Sequence, residues 1–138
     1  MKKGRIMTEE LIKTFLSARV FALIGASDNP EKYGNIILKS LIAKGFKVIP
    51  VNPGKTAIEG VDCYKDIASL PDYVKFVNFV VPPKIALKML PDAVKKGVEI
   101  AWFQPGAYDD ELICECARLG LKAIHDGSCI MVCAASGC

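Results

Sequence analysis

Val20-Phe21-Ala22-Leu23-Ile24-Gly25-Ala26-Ser27-Asp28-Asn29-Pro30-Glu31-Lys32-Tyr33-Gly34 decides how the rest of the chain is read. Five apolar residues run without polar alternation into Gly-Ala-Ser, and a polar loop and a helical pattern follow. A strand with no polar alternation is one covered on both faces, as in parallel α/β sheets. Gly25 permits a sharp turn and the close approach of a ligand. Amides exposed at the start of the next helix favour an anion there.

Outward from this stretch, helical and strand patterns alternate. Residues 8–17 read as a helix, with Thr8 as cap, Glu9 and Glu10 in the first turn, and Leu11, Ile12, Phe15 and Leu16 as one apolar stripe. A second helix spans 35–44, with Ile37, Leu38, Leu41 and Ile42 inward and Gly45 at its end. The second strand, 47–51, stops at Asn52-Pro53-Gly54. Residues 55–64 read as loop, and 66–70 as one short helical turn. The third strand, 75–81, is cut off by Pro82-Pro83, and a helix over 84–96 follows, with a kink or break expected at Pro91. The fourth strand covers 99–103, a helix capped by Asp109 covers 109–119, and the fifth strand covers 122–125. Residues 127–138 form a short tail, with a little more strand expected at 129–132. Strands alternating with helices imply parallel pairing and right-handed crossovers. The expectation is one α/β domain over 1–138, a doubly wound, Rossmann-like, five-stranded parallel sheet in the order 3-2-1-4-5.

The chain has 138 residues, 51% of them hydrophobic and 24% charged, enough to bury one core. A net charge of +3, with no Lys/Arg cluster interleaved with aromatics, argues against nucleic acid. No apolar signal-peptide core follows Met1-Lys2-Lys3-Gly4-Arg5, and no run approaches the ~20 residues of a membrane span, so the expected compartment is the cytoplasm. The six cysteines are Cys63, Cys114, Cys116, Cys129, Cys133 and Cys138. Without an export signal they do not read as a disulfide scaffold. Without paired C-x-x-C spacing they do not read as a metal site.

In such sheets ligands lie outside the carboxyl ends of the strands. Here those ends are Gly25-Ala26-Ser27, Asn52-Pro53-Gly54-Lys55, Val81-Pro82-Pro83, Gln104-Pro105-Gly106 and His125-Asp126-Gly127-Ser128-Cys129. Few large charged groups stand among them, which suits a long, partly apolar ligand crossing several loops. NAD is disfavoured, because G-x-G-x-x-G does not follow the first strand and no acidic residue ends the second. No Ser/His/Asp group, acidic pair or metal cluster appears, so no catalytic residue is assigned. His125, the single histidine, reads as structural or solvent-facing. Trp102 and Phe103 read as core strand residues.

Four strings carry a resemblance: Leu23-Ile24-Gly25-Ala26-Ser27, Val48-Ile49-Pro50-Val51-Asn52-Pro53, Val80-Val81-Pro82-Pro83 and Trp102-Phe103-Gln104-Pro105-Gly106. Together they resemble the small coenzyme A-binding domain family, itself similar to the nucleotide-binding domain of succinyl-coenzyme A synthetase α-subunits. The resemblance implies that Gly25, Ala26 and Ser27, with the helix start near Tyr33 and Gly34 and the charge of Lys32, hold the diphosphate of coenzyme A. It implies that Asn52 and Pro53 lie beside the adenosine, and that Lys55, in a Pro-Gly-Lys string, approaches a phosphate. Val81 and Pro82 would pack on the nucleotide or the pantetheine arm, and Gln104, Pro105 and Gly106 would line the pantetheine end. The phosphohistidine of the synthetases belongs to a second domain, so His125 does not inherit that role. Cys129, on the ligand-bearing edge, is the candidate for a mixed disulfide with the coenzyme A thiol.

The function expected is binding of coenzyme A or an acyl-coenzyme A, without catalytic machinery in this chain. One alternative is a partner-dependent subunit of an acyl-coenzyme A ligase or transferase, and another is an NAD(H)-binding redox sensor. Beyond the ligand, the partners compatible with this reading are a second copy of the chain or a ligase partner subunit.

Overall fold

Strand β1 (Val20–Ile24) divides its side chains between two cores. Successive strand residues point to opposite faces. Ala22 and Ile24 therefore join one buried cluster, and Phe21 and Leu23 join another. The structure, a computed structural model, describes residues 2–136, and Cys138 of the tail lies outside them. In order, the elements are α1 (Lys2–Ser17), β1, α2 (Tyr33–Ala43), β2 (Lys47–Val51), β3 (Ala57–Ile58), β4 (Val61–Asp62), β5 (Phe76–Phe79), α3 (Pro83–Lys96), β6 (Ile100–Phe103), α4 (Asp110–Leu119), β7 (Lys122–Ile124) and α5 (Ile130–Ser136).

Five of these strands form one parallel sheet in the order β2-β1-β5-β6-β7. Helices α3 and α4 cover one face, and α1, α2 and α5 cover the other. The doubly wound α/β class is thus as expected, but the order differs. Counting the five sheet strands alone, it is 2-1-3-4-5 and not 3-2-1-4-5. Pro50 supplies the physical reason. A residue's N–H and C=O point to the same side of a strand, and the Pro50 carbonyl faces outward to accept from the Tyr64 amide at 3.0 Å. A neighbouring strand on that side would find no donor at Pro50, so β2 belongs at the edge. The following chain crosses instead to the free side of β1, where β5 pairs Val77 with Ala22 and Phe79 with Ile24.

Other boundaries also differ from expectation. Helix α1 starts before Thr8, which is an interior residue and not its cap. Helix α3 runs unbroken through Pro91, which only forgoes the N–H that would reach the Leu87 carbonyl. Residues 66–70 form a turn tied by Asp66, whose carboxylate accepts from the Ser69 amide at 2.9 Å. Within 55–64, β3 and β4 make a small antiparallel hairpin, and Glu59 (φ 51°) and Gly60 (φ 76°) turn its tip. The tail is helical and not strand, because Ile130, Cys133 and Ala134 recur at helical spacing and pack on the α2 side of the sheet.

Phe15 anchors α1 to the sheet. It is fully buried, with ring centroids 5.0 Å from Phe21, 5.5 Å from Phe76 and 5.2 Å from Trp102. Trp102 and Phe103 are core residues on opposite faces of β6, and Trp102 satisfies its indole N–H on the Ser128 carbonyl at 3.2 Å. None of the described helices is long and apolar enough to cross a membrane.

Candidate functional site

The turn after β1 is held more tightly than its composition requires. Gly25 has φ 95°, and a Cβ there would come within 2.7 Å of Val80 Cγ2. Gly34, in the first turn of α2, lies so close to Gly25 that a Cβ would run into the Gly25 carbonyl oxygen. Helix α2 therefore starts directly against the turn. This is the close helix–strand packing that a glycine provides in dinucleotide folds. Two carboxamides brace the same turn. Asn52 donates to the Ala26 carbonyl at 2.9 Å and accepts from the Gly54 amide at 2.8 Å. Asn35 donates to the Ser27 carbonyl and to a Glu59 carboxylate oxygen, both at 2.9 Å. Ser27 Oγ accepts from the Asn29 amide at 3.0 Å, which leaves its proton to donate elsewhere. Lys32 occupies the cap position of α2 but makes no side-chain cap. The Asn35 amide donates to the Lys32 carbonyl at 3.0 Å, and the positive end of the helix dipole lies at this turn.

A cavity of about 750 Å³ opens above the carboxyl ends of β1, β2 and β5. It lies beside the point where the chain, having gone from β1 to β2, returns across β1 to β5. That is the switch point where doubly wound sheets take ligands. The expected residues Gly25, Ala26, Ser27, Lys32, Tyr33, Gly34, Asn52, Pro53, Val81 and Pro82 all line it. Gln104, Pro105 and Gly106 line a second cavity of about 260 Å³. The two share Tyr33, Val80, Val81 and Pro82, so together they make one extended groove along the sheet edge.

Three expected residues sit differently. Lys55 lines neither cavity and is paired with Asp28 at 2.8 Å. The hydrogen bond between them lowers the Asp28 pKa and raises that of Lys55, although both side chains are well exposed. The Gln104 amide is buried and committed, donating to Asn78 Oδ1 at 2.7 Å and accepting from the Ile130 amide at 2.9 Å. Gln104 thus ties β5, β6 and the start of α5 together behind the groove wall. Cys129 lines neither cavity, but its Sγ is 3.0 Å from the hydroxyl of Tyr33, which lines both. Burial, and then this contact, push the Tyr33 hydroxyl pKa up.

Sequence reasoning passed over Lys65, Val80, Ile85, Lys88 and Met89, which also line the larger cavity. Ile85, Lys88 and Met89 stand at i, i+3 and i+4 on α3, a spacing that puts them on one face. That spacing was available as a signal, but it cannot say that the face meets a ligand. The lining carries three lysines, Lys32, Lys65 and Lys88, and no carboxylate among the described residues. Its remaining surface is largely apolar, so it suits a ligand with several negative charges and an apolar or aromatic body.

Fold and site together define a doubly wound α/β domain with a lysine-bearing, largely apolar cavity at its switch point. The family described as CoA binding domain matches residues 19–135, and the chain belongs to that family. Among curated relatives, it is 36% identical over 90 residues to the acetate–CoA ligase [ADP-forming] II subunit alpha of Pyrococcus furiosus, covering 64% of this chain and 20% of that one. A conserved hypothetical protein of Pyrococcus furiosus superposes with a TM-score of 0.79 at 49% identity, covering 83% of this chain and 97% of that chain. The dinucleotide forming acetyl-coenzyme A synthetase 1 of Ca. Korarchaeum cryptofilum superposes with a TM-score of 0.74 at 28% identity, covering 86% of this chain and 28% of that chain. The chain thus spans about a fifth of the length of the curated ligase relative.

Proposed function

We propose that this chain binds coenzyme A or an acyl-coenzyme A in the groove above β1, β2 and β5, and does so as the coenzyme A-holding part of an ADP-forming acyl-coenzyme A ligase. The observation that carries the ligand is the cavity at the switch point, with three lysines, no carboxylate among its described lining and apolar walls. The diphosphate lies against the Gly25-Ala26-Ser27 turn and the first turn of α2, near Lys32. The adenosine lies beside Asn52 and Pro53, and the pantetheine arm runs past Val81 and Pro82 toward Pro105 and Gly106. The similarity to an ADP-forming acetate–CoA ligase α-subunit and to an acetyl-coenzyme A synthetase supports the assembly, in which a partner would supply the ligase chemistry.

A second reading is a coenzyme A-binding protein that acts by itself. It is favoured by the small Pyrococcus furiosus protein that this fold covers almost completely. Co-purification from the source cells separates the two. A ligase partner that comes down with the chain and gains coenzyme A-dependent activity from it supports the assembly. A chain that elutes alone with bound coenzyme A supports the second reading.

The ligand itself is tested by calorimetric titration with coenzyme A, dephospho-coenzyme A and NADH. The expected result is saturable binding of coenzyme A and none of NADH. Tight NADH binding without coenzyme A binding overturns the proposal in favour of a redox sensor.

A further inference from the structure

We propose that Lys65 and Lys88 together form the phosphomonoester end of this cavity and make it select 3′-phosphorylated coenzyme A over dephospho-coenzyme A. The assignment rests on the coenzyme A reading above and gives it a specificity determinant. The three lysines of the cavity come from opposite sides of the sheet. Lys32 precedes α2, whose Ile37, Leu38 and Leu41 belong to the core shared with α1 and α5. Lys88 is on α3, whose Ala86 and Leu90 belong to the other core. Lys65 begins the segment whose Ile67 and Leu70 join that same second core. The cavity therefore has a cationic pole on each side of the sheet, and Ile24, Val81 and Met89 are among its apolar lining.

A ligand matching this arrangement carries two separate anionic groups on one body. The turn and the helix dipole serve the first anion, at the Lys32 pole. Lys65 and Lys88 remain for the second. Both are exposed, and neither is in an ion pair among the described residues. A phosphomonoester carries about −1.5 to −2 charge at neutral pH, which two ammonium groups match. Lys55, the lysine to which the family resemblance points, is instead neutralised by Asp28 and stands outside the lining.

The test is titration of the wild type, Lys55→Ala, Lys65→Ala, Lys88→Ala and the Lys65→Ala/Lys88→Ala double variant with coenzyme A and with dephospho-coenzyme A, at low and high salt. The wild type is expected to prefer coenzyme A by about tenfold or more, the scale of one charge-assisted hydrogen bond. The preference should shrink as salt rises. The double variant should lose it, to about twofold or less, with little change toward dephospho-coenzyme A, whereas Lys55→Ala should keep it. A double variant that keeps the preference, or that weakens both ligands equally, overturns the assignment. So does a Lys55→Ala variant that abolishes the preference, or a wild type that binds both ligands equally, and in those cases the coenzyme A reading still stands. A wild type that binds neither ligand overturns that reading and the assignment with it.

Discussion

The first turn of α2 sits on the turn that ends β1, with Gly34 directly against the carbonyl oxygen of Gly25. Gly34 is helical, so an alanine there would ordinarily stabilise the protein by about 1 kcal/mol. Here the added methyl meets backbone that cannot swing aside. Gly34→Ala is expected to reverse that sign and cost about 1–3 kcal/mol, the scale of overpacking. Urea denaturation measures it, and a gain in stability would show that α2 does not press on the turn.

Gln104 holds two partners that have little access to water, Asn78 Oδ1 and the Ile130 amide. Truncation to alanine strands both, each at about 1–3 kcal/mol. We expect Gln104→Ala to lower the urea midpoint and to speed hydrogen exchange at Ile130 and along α5. Unchanged exchange in α5 would mean that Ile130 and Cys133, buried under the sheet, hold that helix without the amide.

Cys114 is exposed and Cys116 is buried, with burial pushing the Cys116 pKa from the ordinary 9.0 to about 11 and Glu115 adding to the rise. A maleimide should therefore label Cys114 well before Cys116. The folded state favours the neutral Cys116 thiol, so the unfolded chain releases that proton first as pH rises. The stabilising contribution is complete below 9.0 and is lost as pH climbs toward about 11. Cys116→Ala should flatten that part of the stability–pH curve, and an unaltered slope would assign it to other groups.

Cys129 stands behind Tyr33 at the groove wall. Its thiolate can attack the disulfide of oxidised coenzyme A, forming a protein–coenzyme A disulfide and releasing one coenzyme A thiolate. The expected adduct appears by intact mass, is removed by reductant and is absent from Cys129→Ser. No adduct in the wild type would make Cys129 a structural thiol only.

Much of the site was legible because its requirements are local. A five-residue apolar strand before Gly-Ala-Ser needs cover on both faces, and Asn52-Pro53 and Pro82-Pro83 must end strands wherever those strands lie. Those statements located the sheet edge and most of the groove lining. The hairpin at 57–62 was not legible, since Glu-Gly is not a usual pair for two successive positive φ values. Its glutamate is there to reach Asn35 across 24 residues of sequence. Pro50 did carry the strand order, but its meaning depends on which edge its missing N–H faces.

The sequence by itself determined the α/β class, the carboxyl edge of the sheet and a tight glycine turn after the first strand, because backbone sterics and hydrophobic periodicity act over a few residues. Tertiary structure decided what stands around that turn. It placed β5 beside β1, spent Gln104 on the core and Lys55 on Asp28, and brought Lys65 and Lys88 to the cavity from separate elements. Charge and proximity across distant segments follow from packing, and spacing along the chain does not encode them.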